Sequence, residues 1–208
     1  MPKKTARSKA MPKKSARSKA TTKKSARSKA APKKSARSNA SNMKKTPAAL
    51  LFGDLEQEFA TTRRMLERVP NGQDDWRPHE KSMPLDKLAT HLAQLPGFGI
   101  MIVTQDGFDV AGGRTPQPKP ANSAERIKLF ETLSAQMRPL LEGMTWDQAM
   151  SPWTFRAGDR VIRQAPRAEI LRAFVLTHST HHRAQLGVYL RLLGIPIPGS
   201  YGPSADEA

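Results

Sequence analysis

Apolar residues recur at helical spacing in four separate stretches of this chain of 208 residues. Pro47 opens the first, where Leu51, Leu55, Phe59, Thr62 and Leu66 follow at alternating four- and three-residue steps until Val69-Pro70-Asn71-Gly72 ends it. A second helix is predicted from Ser82, a capping residue with Pro84 in the first turn. It carries Leu85, Leu88, Leu92 and Leu95, and Pro96-Gly97 bends it before residues 100–103. The segment AGGRTPQPKP, residues 111–120, is a break. Ser123 starts a third helix with Ile127, Phe130, Ser134, Met137 and Leu141 on one face and Gly143 as its stop. Residues 153–162, WTFRAGDRVI, read as a short hairpin around Gly158-Asp159. A fourth helix covers residues 166–193 and ends at Gly194, before IPIPG. The pattern predicts an all-α four-helix bundle over residues 46–208, with a small hairpin insertion before the last helix.

The fourth stripe changes character midway. Leu171, Phe174 and Val175 precede, and Leu186, Tyr189, Leu192 and Leu193 follow, the segment HSTHHRAQ at residues 178–185. At about 100° per residue, His178 and His182 fall in the middle of the stripe with Gln185 beside them, while His181 falls toward its edge. Two imidazoles four apart on one helix face can hold one metal ion, and they can equally be a hydrogen-bonded polar pair in a core. A metal needs a further donor. His91, one turn after Leu88 on the flank of the second stripe, can point into the bundle, and His79 in the loop DDWRPHE is the poorer candidate. Gln185 and Tyr189, about a turn beyond His182, are placed to orient a ligand, although a tyrosine there is equally a core residue with a satisfied hydroxyl. Asp54, Glu58 and Glu80 are the carboxylates available as bases, none marked by its context.

Charge divides the chain differently. The net charge is +17, and all of the excess lies in residues 1–45, near-identical decapeptides such as MPKKSARSKA that contain no acidic residue. The cations are Lys3, Lys4, Arg7, Lys9, Lys13, Lys14, Arg17, Lys19, Lys23, Lys24, Arg27, Lys29, Lys33, Lys34, Arg37, Lys44 and Lys45. Such a segment cannot bury enough apolar surface to offset its ordering entropy, so a disordered tail at residues 1–45 is expected beside a charge-balanced domain. In composition the repeats resemble linker-histone tails. Counterion release would let them bind DNA or RNA non-specifically, without stacking, because they hold no aromatic residue. The chain has no cysteine, which suits a cytoplasmic protein and means that any thiol must arrive as a substrate. No apolar run approaches a membrane span and no secretory apolar core is present.

The segment HSTHHRAQLGVYLRLLGIPIPGSYGPS, the helix-two histidine after Ser-Met-Pro-Leu and the Trp-Arg-Pro-His loop before it resemble the DinB-like family of bacterial metalloenzymes, over residues 46–208. The resemblance implies a four-helix bundle that holds a divalent ion, zinc or nickel, through His91, His178 and His182, with a coordination position left open. It also implies thiol transferase or hydrolase chemistry, with a low-molecular-weight thiol as one candidate substrate, and a homodimer is plausible in such a bundle. Two other readings stand beside it. In one, the tail is the working part of a nucleoid-associated protein and the bundle a structural or ligand-sensing module; in the other, the histidines close a purely structural site.

The tail makes a quantitative prediction. If about half its cations meet phosphates, binding of the full chain to duplex DNA should fall with salt at a log–log slope of roughly −7 to −8. Removal of residues 1–45 should abolish that binding in a fluorescence anisotropy titration, and an unchanged slope would remove the tail from the interaction.

Overall fold

The computed structural model describes residues 46–113 and 119–207. The basic repeats, and every expectation attached to them, lie outside the described residues. Helix one is in fact two helices, α1 (Pro47–Leu51) and α2 (Leu55–Leu66), because the chain leaves helical geometry at Phe52 and turns through Gly53. Thr46 caps α1, its hydroxyl accepting the Ala49 amide. The second helix, α3 (Leu85–Thr104), starts at Pro84 without a side-chain cap, so the expected Ser82 cap is not formed. It continues through Pro96 to Thr104. The third, α4 (Ser123–Glu142), is capped by the Asn122 side chain on the Glu125 amide and ends at Gly143.

The hairpin forms as β2 (Pro152–Ala157) and β3 (Arg160–Pro166), with Gly158 at φ +59° in the turn. It is larger than expected. A strand unforeseen in the sequence, β1 (Gly107–Asp109), pairs in parallel with β2, giving a sheet ordered β1-β2-β3. A short helix, α5 (Trp146–Met150), precedes the sheet with a capping box between Thr145 and Gln148.

The predicted fourth helix forms as three consecutive segments, two α-helical and one π between them: α6 (Arg167–Leu171), a π turn (Arg172–Thr177) and α7 (His178–Leu192). Gly194 ends it at φ +72°, as its position predicted. In the bundle α2 packs against α4 and α7, and α3 packs against α4 and α7. The core is continuous through Phe59, Leu66, Leu88, Leu92, Phe130, Met137, Leu171 and Leu186. Leu192, placed inward by the stripe, is 60% exposed although Leu190 in the same turn is fully buried, because at about 100° per residue it lies roughly 120° around the helix from Leu186. Trp153 is fully buried, whereas Trp146 is largely exposed rather than packed.

Buried guanidinium groups fix the elements to each other. Arg167 donates to the Ile102 carbonyl, to the Gln105 carbonyl at 2.5 Å and to Asp106 at 2.8 Å, closing the carboxyl end of α3 where backbone acceptors lack partners. Arg183 pairs with Glu58 at 2.8 Å and donates to Tyr201 Oη at 2.9 Å, with its guanidinium over the Tyr201 ring. Tyr201 therefore anchors the C-terminal segment on the bundle, and Arg191 and Asp206 add a second tie at 2.7 Å. No helix among the described residues is long and apolar enough to cross a membrane.

Replacing Arg167 by Ala strands several carbonyls of a buried helix end. Unfolding in urea should show a loss of about 3 kcal/mol, whereas Arg163→Ala, which breaks only an exposed pair with Glu169, should cost under about 1 kcal/mol. Equal effects of the two would mean that Arg167 does not hold the helix end.

Candidate metal centre

Three histidines meet at one point between α3 and α7. His91 comes from the middle of α3, and His178 and His182 begin α7 directly after the π turn. Their rings form a triangle with centroid separations of 5.1, 4.7 and 4.5 Å. Each directs a ring nitrogen inward: His91 Nε2 lies 3.5 Å from His178 Nε2, and His182 Nε2 lies 2.7 Å from it. These two separations bracket the roughly 3.4 Å between donors around a tetrahedral ion with bonds of about 2.1 Å.

The outer sides of two rings determine where their protons sit. The Gln185 side-chain oxygen lies 2.7 Å from His182 Nδ1 and accepts its proton. The backbone amide of His178 bonds to the Val175 carbonyl, and the carbonyl of Phe174 instead faces the His178 ring as a hydrogen-bond acceptor. With both rings protonated on Nδ1, the form these acceptors favour, both Nε2 positions are bare lone pairs facing each other at 2.7 Å. Two such lone pairs repel unless a cation lies between them. A proton is a poor choice: burial, reinforced by repulsion from His182 and His181, lowers the pKa of His178 against the opposing Phe174 carbonyl. Burial likewise lowers that of His182, opposed by Gln185 and assisted by His181. The rings are therefore neutral at neutral pH, the form in which imidazole binds metals. The three histidines fit a divalent ion and could hold one.

Comparisons with known proteins give the family and the fold. Residues 43–208 match the DinB family. The chain belongs to that family. Two solved DinB-like proteins share the fold: one from Bacillus cereus ATCC 10987, 17% identical with a TM-score of 0.55, covers 73% of this chain and 95% of its own. The other, YjoA of Bacillus subtilis, is also 17% identical, with a TM-score of 0.57 and coverage of 72% and 96%. An uncharacterized Bacillus subtilis protein, YrdA, is 40% identical over 45 residues, which span 22% of this chain and 26% of YrdA.

Other candidates from the sequence fall elsewhere in this DinB-family bundle. His79 is exposed and its Nδ1 accepts the Lys81 amide. His181 is exposed, touching the site only through an edge contact with the His182 ring. Tyr189 is buried, its hydroxyl donating to the Met83 carbonyl at 3.2 Å and its ring edge-on to Trp76, which makes it a core residue with a satisfied hydroxyl. The Gln185 side-chain oxygen meets the outer nitrogen of the His182 ring. Among the carboxylates, Glu58 is held by Arg183 and Asp54 by Arg172. The stripe reasoning missed the surroundings of the site: a cavity of about 220 Å³ opens at His91 and His178 and is walled by phenylalanines, and a polar one of about 1050 Å³ shares His91 and Gln94. The sequence signal was there in Phe174, one helical turn before His178, and in Phe155 within the hairpin.

Gln185→Leu removes the acceptor that holds His182 in its tautomer and should weaken zinc affinity roughly 10- to 100-fold, measured by competition with a chromogenic chelator. Gln185→Glu keeps an acceptor and should restore most of it. Equal affinity in all three proteins would show that the Gln185 contact does not tune the site.

Proposed function

We propose that this DinB-family protein is a metal-dependent enzyme in which His91, His178 and His182 hold a zinc or nickel ion with one coordination position left for water or substrate. The observation that carries this reading is the close approach of the His178 and His182 Nε2 atoms, 2.7 Å apart, in a cluster whose His178 and His91 border one cavity and whose His91 borders a second. A closed structural site would have its fourth donor supplied by the protein, and the metal-sized cluster of the described residues is made of these three histidines. Such an ion, when bound, supplies a Lewis acid able to lower the pKa of a water or thiol, or to polarise a substrate oxygen.

The chain's own groups have the remaining tasks. Gln185 and the Phe174 carbonyl fix the orientation of two donors before any ligand arrives, so little reorganisation is needed on binding. The polar cavity brings Asp74, Asp75, Lys87 and Lys119 to the His91 side, charges suited to a small zwitterionic co-substrate. A low-molecular-weight thiol fits that description, and a chain without cysteine must receive its thiol from outside. This favours thiol transfer over hydrolysis. The basic segment acts, in this reading, as a separate electrostatic tether to nucleic acid, supported by the confinement of the excess +17 charge to residues 1–45.

Elemental analysis of the full chain purified without a histidine tag tests the reading. Near-stoichiometric zinc or nickel is expected in the wild type and loss of most of it in His178→Ala, with the fold retained by circular dichroism. The metal-loaded protein should then accelerate consumption of free thiol by an electrophile, and the metal-stripped protein should not. A wild type that stays empty after incubation with either ion rules the proposal out.

A further inference from the structure

Four of the chain's seven phenylalanines close a ring of aromatic contacts beside the histidines. Phe98 meets Phe108 at 5.9 Å between centroids and Phe174 at 5.8 Å, while Phe155 meets Phe108 at 6.2 Å and Phe174 at 5.6 Å. They come from α3, β1, β2 and the π turn, elements distant in sequence. None is in the dry core; all four are half-buried and wall the 220 Å³ cavity whose other end is formed by His91 and His178. Apart from those histidines and Gln94 the lining is apolar, with Leu95 and Met101 completing it and no charged side chain in it.

Local geometry holds the rings in place. Phe108 and Phe155 are direct register partners on the parallel strands, so they emerge on the same face and stack with an interplanar angle of 7°. The strands approach that closely because of Gly107: a Cβ there would lie 2.6 Å from the Thr154 carbonyl oxygen. Phe174 occupies the π turn that immediately precedes His178, a local irregularity of the kind that helices use at functional sites. Half-exposed aromatic rings gathered around an opening mark a binding surface rather than a failure of burial.

We propose that this chamber is the specificity pocket for a substrate carrying an uncharged, flat aromatic ring, inserted among the four phenylalanines with its polar substituent projecting to the three histidines. The inference rests on the metal-dependent reading above for the role of that substituent, and on the chamber itself for the ring. Size agrees: an apolar cavity of roughly 150 Å³ already takes benzene, so 220 Å³ admits a six-membered ring and a short substituent. Charge agrees as well. A carboxylate buried among the four phenyl rings would be desolvated without a partner there, and a quaternary cation would find the weaker phenylalanine faces beside a site suited to a divalent ion.

The test uses the full-length protein and two kinds of probe. Fluorobenzene, followed by fluorine NMR on metal-free protein, reads the chamber alone and is expected to bind saturably. Met101→Trp, which fills the chamber, and Phe155→Glu, which places a carboxylate in its wall, should both abolish that binding; the second decides if the first does not fold. On zinc-loaded protein, benzohydroxamate should bind roughly 10- to 100-fold more tightly than acetohydroxamate, the gain expected from burying one phenyl ring, and Met101→Trp should erase the difference. Protein that loads zinc yet neither binds fluorobenzene nor distinguishes the hydroxamates overturns the inference, as does displacement of fluorobenzene by tetramethylammonium. Failure to load zinc with fluorobenzene binding intact and lost in the variants would discard the metal reading and support the chamber.

Discussion

Of the buried cations, one sets the relation between the two helices that carry the histidines. Arg167 begins the last helical segment, and its guanidinium gathers the Ile102 and Gln105 carbonyls and Asp106 at the end of α3. A charge taken out of water this far is retained only where several acceptors meet it, and the unpaired carbonyls of a helix end are such acceptors. The clamp sets the register of the two helices that carry the histidines. His91 lies eleven residues before Ile102 and His178 eleven residues after Arg167. Along antiparallel helices each histidine is therefore about 16 Å from the same fixed point, at roughly 1.5 Å per residue. Equal path lengths bring the two rings level.

The π turn then adjusts what the clamp has brought together. A regular α-helix through residues 172–177 would give the His178 amide to the Phe174 carbonyl. In the π turn that amide goes to Val175, and the Phe174 oxygen is turned to the imidazole instead. One irregularity thus orients a donor and delivers the Phe174 ring to the neighbouring cavity. Gln185 performs the equivalent task for His182 with a side chain. Preorganisation of two rings from their outer edges is what leaves two lone pairs confronting each other in the centre.

How far this was legible in the sequence follows from the physics of each element. Four amphipathic stripes specify a bundle because burial of a helical face is read directly from a 3.6-residue period. His178 and His182 were legible for the same reason, standing where Leu or Val would be expected in the stripe that Leu186 and Tyr189 continue. The break at Gly53 was not, since Leu51 and Leu55 remain four apart across it and the period gives no warning. Nor was the π turn, because a sequence period shows which face of a helix is apolar and not how many residues a single turn holds. The strand β1 is three residues long and pairs with a partner 47 positions away; pairing of that kind is decided by tertiary context rather than by local propensity. Leu192 was misplaced because the stripe was drawn too wide: Leu186 and Leu190 mark the buried face, and Leu192 lies beyond its edge.

These differences in legibility divide the site in a meaningful way. The metal donors come from helices tied by buried guanidinium groups, Arg167 at the carboxyl end of α3 and Arg183 between α7 and α2, and packed on a continuous apolar core. The chamber wall comes half from that frame, through Phe98 and Phe174, and half from the small sheet, through Phe108 and Phe155. The sheet contributes little to the core beyond Trp153, so its residues can change without disturbing the helices that hold the histidines. A rigid helical frame that fixes the donors and a peripheral sheet that shapes the opening allow ligand preference to vary independently of metal affinity. In this chain that variable half is aromatic and uncharged, and the chemistry offered to a substrate is set by the contrast between it and the polar histidine face it adjoins.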